Sequence, residues 1–304
     1  MKKTFCLLAL CVVTASTGLA EPIKVASLNT VLTDIARNVG GDRVDVIEIV
    51  KAGTDPHAFE PTPGDIKKIA SAKLVLASGL GFESYLDKLK SSVGAGPTFV
   101  VAGDAIKPLM GFEEGCGEDH DHAGHGHADP KDTPDPHWFH SIKNAKLVTT
   151  QIRDAFIKAY PPDASVFEAN AKAFQTKLDE LARWAKIEIA KVPRAQRILV
   201  TSHDALGYFA RDYSFKVLPV QGINTGEQPS SKKVSALIEE IRTTGVKAIF
   251  AENIENPKVL QQITAETGAK IGGVLYADGL GTGNAGTYGG MVRTNVTTIV
   301  NALQ

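Results

Sequence analysis

Cysteine is scarce in this sequence: 304 residues contain three, and Cys6 and Cys11 both fall in an N-terminal stretch built like a secretory leader. Cys116 is then the only thiol of the mature chain, and one thiol cannot form an internal disulfide. Export would permit such bonds, so the fold is expected to rest on its apolar core. Long apolar runs are also missing. The leader has Lys2 and Lys3, an apolar run from Phe5 to Val13 and small residues up to Ala20, a pattern cleaved near Ala20. That run is too short to span a bilayer, and no later stretch is long and apolar enough to do so. A lipid-attachment signal needs a small residue before its cysteine, whereas Cys11 follows Leu10.

An excess of one charge is the third absence. Removing Lys2 and Lys3 leaves 31 Lys and Arg against 34 Asp and Glu, a net charge of −3, which gives no footprint for nucleic acid or an anionic membrane. Catalytic signatures are the fourth: there is no HExxH, no GxSxG and no P-loop. Gly281, Gly283 and Gly286 match GxGxxG after a strand-like run. The chain ends at Gln304, before the acidic residue and further strand that a dinucleotide site requires. A glycine-rich loop beside Asp278 is the better reading.

Histidine is what the chain does have, and its distribution is uneven. Six of the eight, His120, His122, His125, His127, His137 and His140, lie in the stretch FEEGCGEDHDHAGHGHADPKDTPDPHWFH; the other two are His57 and His203. Imidazole is the commonest side-chain ligand for ions such as zinc, so the distribution points to metal handling, with none left for an ordinary structural role. His140 is the least defined, either supporting a ligand or packing beside Trp138.

Strand-like runs are expected at Ile23–Ser27, Asp45–Val50, Leu74–Ser78 and Thr98–Ala102, with helices at Thr30–Val39, Pro63–Ser71 and Phe82–Val93 between them. A helix over Ile142–Tyr160 follows, and then a long one over Asp163–Lys191. In the long helix Phe167, Ala171, Phe174, Leu178, Leu181 and Ala185 form one stripe. A second alternation has strands at Ile198–Ser202, Lys216–Val220, Lys247–Glu252 and Ile271–Tyr276. Helices accompany it at Asp204–Tyr213, Ser230–Thr244, Pro257–Thr267 and after Gly290. Alternation of this kind builds parallel sheets. The expected fold is α/β: two lobes, each a mainly parallel four-stranded sheet flanked by helices, joined by one long rigid helix. The expected division is a leader 1–20, an N-terminal lobe 21–162 carrying an acidic histidine-rich loop 113–132, an inter-lobe helix 163–192 and a C-terminal lobe 193–304.

Ligands in open parallel sheets gather at the carboxyl ends of strands. His57, His203 and Asp278 each follow a strand, and His137 precedes a helix, so two groups from each lobe are expected to meet in a cleft. Three imidazoles and a carboxylate suit tetrahedral zinc, and four protein ligands leave no position for a reacting water. Asp278 also reads as a helix cap or turn. His120, His122, His125 and His127, with neighbouring glycines, form a second metal-rich tract that is expected to bind more weakly, because ordering it costs entropy. A solvated, inert loop is the alternative there.

Four segments, GTDPHAFEPTPGDI, DPHWF, SHDALGYFARDY and LYADGLG, resemble in order the metal-ligand segments of periplasmic metal-binding proteins that feed ABC importers. The resemblance covers essentially the whole mature chain and is nearest to the zinc-specific members, of the AztC type. It implies His57, His137, His203 and Asp278 as ligands of one Zn2+ in the cleft. Manganese-type members are expected to carry Glu where this chain has His203, and the acidic histidine loop is a zinc-branch feature. WFH at 138–140 departs from the family's usual WL-D ending, which leaves His140 open. A monomeric periplasmic receptor is implied, one that captures zinc and passes it to a membrane permease. The loop would acquire zinc or accept it from a donor metallochaperone. An exported zinc-dependent hydrolase and a metal-stabilised adhesin are the alternatives.

Overall fold

A computed structural model describes residues 21–110, 133–223, 225, 229–254 and 258–304. The expected leader, Cys116 and the tract with His120, His122, His125 and His127 lie outside the described residues. The first lobe contains strands β1 (Ile23–Ser27), β2 (Val44–Glu48), β3 (Leu74–Ala77) and β4 (Thr98–Val101), all parallel in the order β2-β1-β3-β4. Helices α1 (Thr30–Gly40), α2 (Pro63–Ala70) and α3 (Leu86–Val93) connect them. Every residue of β3 is buried, as a central parallel strand covered on both faces requires. Successive side chains of a strand point to opposite faces. Val25, Leu74 and Leu76 enter a large central core, while Ala26, Val75 and Ala77 join an outer cluster with Ile69, Leu86 and Leu89.

The local signals behave as their chemistry demands. Thr62 and Asp65 form a reciprocal capping box at α2, with Pro63 at its first position. Helix α3 starts four residues later than the apolar pattern suggests, at Leu86 rather than Phe82. Gly79, Leu80 and Gly81 all have positive φ, and the buried Glu83 carboxylate accepts from the backbone N–H groups of Ser78 and Gly79. That bond folds the chain back on itself and turns Phe82 into the interior. Burial pushes the Glu83 carboxyl up to about 7, against the pull of those two N–H donors.

Helix α4 (Ile142–Ala159) leads into α5 (Ala164–Ile189), whose 26 residues span about 39 Å. The expected stripe, extended by Ile189, is buried along its whole length. Helix α5 packs on α1 and α4 of the first lobe and on α9 (Tyr288–Leu303) of the second. One core cluster therefore runs through both lobes, from Val25 and Phe167 to Phe250 and Val296. Burying a Phe or Leu contributes about 1.5–3 kcal/mol, so lifting either lobe off α5 would expose several such side chains at once. The lobes are held as a unit, and local loop shifts are the motions of low cost.

The second lobe repeats the first in topology. Strands β5 (Ile198–Thr201), β6 (Lys216–Pro219), β7 (Ala248–Glu252) and β8 (Lys270–Leu275) are parallel in the order β6-β5-β7-β8. Helices α6 (Gly207–Tyr213), α7 (Ser231–Thr244) and α8 (Lys258–Thr267) connect them. Helix α6 is shorter than expected because the Asp204 N–H bonds the Gly222 carbonyl and holds 204–206 as a loop. Helix α9 begins before Gly290, at Tyr288, because Thr287 caps it by accepting from the Gly290 N–H. In each sheet the strand order reverses at the central strand, β1 or β5, and a crevice opens beyond the carboxyl ends there.

Candidate metal centre

Four side chains converge between the lobes. His57 lies on the loop after β2, His137 just before α4, His203 two residues past β5 and Asp278 three residues past β8. One ligand atom from each lies within 4.8 Å of the others. The Asp278 Oδ1 atom is 3.3 Å from His57 Nε2 and 3.1 Å from both His137 Nε2 and His203 Nε2. The His57 and His137 Nε2 atoms are 3.2 Å apart. His137 and His203 are fully buried and Asp278 is 5% exposed. Asp278 faces the three imidazoles and caps no helix among the described residues.

The imidazoles are oriented by groups that sequence reasoning missed. His137 donates from Nδ1 to Asp135 Oδ1 at 2.9 Å, and His203 donates from Nδ1 to Glu252 Oε2. Each donation puts a ring proton on Nδ1 and turns Nε2 into the cleft, where it can bind an ion once its own proton is displaced, which is how carboxylates orient metal-binding histidines. Both acids left a signal in the sequence. Asp135 stands two residues before His137, and Glu252 ends the otherwise apolar β7. Phe82 supports the site from below, with its ring edge-on to His57 and His137 at 4.9 and 5.8 Å.

Electrostatics follow from this geometry. Burial acts to lower the pKa of His137, but Asp135 and Asp278 outweigh it and hold the imidazole at about 9. Burial likewise opposes protonation of His203, and Asp278 and Glu252 raise it well above the usual imidazole value. Burial disfavours the Asp278 carboxylate, but His203, His137 and His57 keep it well below the ordinary range. The centre is thus an ionised carboxylate facing two rings, those of His137 and His203, whose protonated form it favours.

His140 corrects one expectation, because it has a structural role. It is buried, and its Nε2–H donates to the Ala277 carbonyl at 2.7 Å. Burial lowers it to about 4, so it stays a neutral donor that fixes the backbone next to Asp278. The GxGxxG segment forms no dinucleotide unit. Gly281, Gly283 and Gly286 form a turn closed by the Gly281 N–H on the Ala285 carbonyl, leading from Asp278 to α9.

Comparison with known proteins gives this arrangement its context. The family model described as zinc-uptake complex component A, periplasmic (ZnuA), matches residues 25–302. The chain belongs to this family. The chain is 34% identical over 282 residues to the iron-binding protein YfeA of Yersinia pestis, covering 92% of this chain and 86% of that protein. It is 32% identical over 291 residues to the manganese-binding lipoprotein MntA of Bacillus subtilis, covering 93% and 90%. Among solved structures, the periplasmic zinc-binding protein TroA of Treponema pallidum superimposes with a TM-score of 0.82 at 27% identity, covering 93% and 99%. The manganese-bound periplasmic metal-binding protein of Candidatus Liberibacter asiaticus gives 0.80 at 30% identity, covering 93% and 100%. ZnuA-family proteins are substrate-binding receptors of ABC transporters and not enzymes, which removes the hydrolase alternative. This chain is accordingly a metal-binding receptor of an ABC transporter. No helix among the described residues is long and apolar enough to cross a membrane.

Proposed function

We propose that the ion is Zn2+, captured by His57, His137, His203 and Asp278 and handed to the membrane permease of an ABC importer. The ZnuA family includes relatives named for manganese, iron and zinc, so kinship does not select the ion. The donor set carries the reading: three imidazole nitrogens and one carboxylate oxygen form a nitrogen-rich, four-atom set. Zinc accepts such a set, whereas manganese prefers oxygen-rich octahedral surroundings. Four of the six distances between ligand atoms, at 3.1–3.3 Å within a set that spreads no wider than 4.8 Å, support the same choice. The edges of a tetrahedron with a centre-to-corner distance of about 2.0 Å are about 3.3 Å long.

The receptor on this reading is exported to the periplasm with its leader cleaved near Ala20, and it works as a monomer divided at 21–162, 163–192 and 193–304. The test is a competitive titration of the ion-free mature protein with zinc and manganese, counting bound ions. One tight zinc that is lost in His203→Ala is expected. Equal manganese affinity, or tight zinc that survives His203→Ala, overturns the assignment. The acidic loop with His120, His122, His125 and His127 is proposed to gather zinc or accept it from a donor metallochaperone. Deleting residues 118–128 is expected to slow loading while leaving cleft affinity nearly intact. Unchanged loading from free and protein-bound zinc alike removes that role.

A further inference from the structure

Every contact between Asp278 and the imidazoles runs through Oδ1. Its other oxygen, Oδ2, is buried and has no hydrogen-bond partner among the described residues. Nδ2 of Asn29, a residue 1% exposed, is buried and unpartnered in the same way. Asn29 and Asp278 line one narrow crevice, together with Thr30, Gly279 and Leu280, that admits about one water molecule. The Asn29 amide is not free to turn. Its Oδ1 caps α1 by accepting from the Val31 N–H at 2.7 Å and the Leu32 N–H at 3.3 Å, so Nδ2 is the group left over. The two segments are also tied together. Thr30 Oγ1 accepts from the Leu280 N–H at 2.8 Å, and a Cβ on Gly279 would stand 2.6 Å from that same Oγ1. Leaving a buried amide donor and a buried carboxylate oxygen unmatched costs about 1–3 kcal/mol each, and a bridging water satisfies both.

We propose that Asn29 is a specificity-determining positioning residue. Its Nδ2–H group, through one bridging water, holds Asp278 Oδ2 away from the bound ion, so that the carboxylate offers Oδ1 alone. This inference rests on the cleft reading above and deepens it. With Oδ2 withheld the site provides four ligand atoms, which satisfies zinc. A carboxylate free to bind through both oxygens would add a fifth, oxygen-rich contact and move preference towards manganese.

Two variants test this, and both keep an oxygen at the cap of α1 while removing the Nδ2–H group: Asn29→Ser, whose hydroxyl is one atom shorter, and Asn29→Asp, whose carboxylate only accepts. The mature protein is loaded with Co2+, whose visible bands are intense in four-coordinate sites and weaker in five-coordinate ones. Zinc and manganese affinities are measured alongside. The wild type is expected to give the intense spectrum. Asn29→Ser is expected to weaken it and to lower the zinc-to-manganese affinity ratio by about tenfold, the weight of one hydrogen bond to a charged group. Asn29→Asp, whose carboxylate repels Oδ2, moves both readings in the same direction and carries the test if Asn29→Ser shows no cooperative melting. A five-coordinate spectrum in the wild type overturns the proposal. So do a wild-type spectrum and affinity ratio in a variant that melts normally. His203→Ala separates the two levels of argument. If the cobalt spectrum survives in that variant, cobalt is not in the cleft, and the cleft reading fails together with the role of Asn29.

Discussion

Asp-Pro-His occurs twice in this chain, at Asp55–His57 and at Asp135–His137, and the two copies behave alike only locally. In both, Oδ1 of the aspartate accepts the backbone N–H of the histidine, at 2.9 and 2.8 Å. This is the turn that an aspartate two residues upstream makes with its own backbone. Beyond that turn the copies part. Asp135 also accepts from the ring of its histidine, and both residues are buried. The second oxygen of Asp55 instead reaches across the cleft to accept from Thr225 Oγ1 at 2.9 Å. The His57 loop has exposed residues from Lys51 to Thr54. One tripeptide thus makes a ring locked in a dry core and a ring on a loop tied to the opposite lobe. The difference teaches that one local turn serves both a buried segment and a loop anchored to the opposite lobe.

Removing a ring tests the comparison most severely. Structural zinc sites bind with about 10–16 kcal/mol shared among four ligands, so His137→Ala and His57→Ala should each weaken zinc by more than about a hundredfold. Competitive titration checks this, and a His57→Ala protein that still binds tightly would show that the His57 loop is no part of the site. The aspartates should separate next. Asp135→Asn leaves an amide that no longer holds the His137 ring proton as a carboxylate does, and it is expected to cost about 10–100-fold in affinity. Asp55→Asn keeps the turn and touches no ring, so a loss of at most about threefold is expected. Equal losses would erase the distinction.

A pH titration gives a smaller effect with a defined sign. With no ion bound, His137 is held at about 9 and His203 well above its usual value, so zinc must displace protons to bind. Apparent affinity should fall by about tenfold per pH unit for each proton released as the pH drops. Calorimetry in two buffers of different ionisation enthalpy counts those protons. The ion-free fold obeys the linked rule. The raised imidazole values add stability that is complete below the ordinary value of 6.5 and is lost as pH rises through about 9. Thermal melts of the ion-free protein across that range show it. Thr225→Val should give the smallest effect. Losing one partly buried bond worth about 1 kcal/mol is expected to speed zinc release a few-fold with little change in melting temperature, read by stopped-flow chelation.

Much of this arrangement was legible in the residues. The eight strands were expected within about two residues of where they lie, because buried parallel strands are short apolar runs between turn signals. His57, His137, His203 and Asp278 stood out because each sits between an ordered element and a turn, and the structure brings all four together. Asp135 and Glu252 left a signal, one two residues before His137 and the other at the end of an apolar strand, but neither says which ring its carboxylate meets until the chain is folded. His140 stayed open between supporting a ligand and packing beside Trp138, because composition alone does not reveal a buried ring's bond to a distant carbonyl. The late start of α3 was hidden because Phe82 fits a helical stripe, and the bond that breaks the helix comes from a buried Glu83.

The sequence by itself determined the local features: where strands and helices lie, the capping box at α2, the buried stripe of α5 and the two Asp-Pro-His turns. These depend on residues a few positions apart, whose interactions are set by backbone geometry. Only the tertiary structure decided which carboxylate holds which ring, which oxygen of Asp278 faces the imidazoles and which is left buried without a partner. In those pairings Asp278 meets His57 across 221 positions and His203 across 75, and Glu252 meets His203 across 49. Their energies come from burial, which exists only once both lobes have closed on α5 and water has left the cleft.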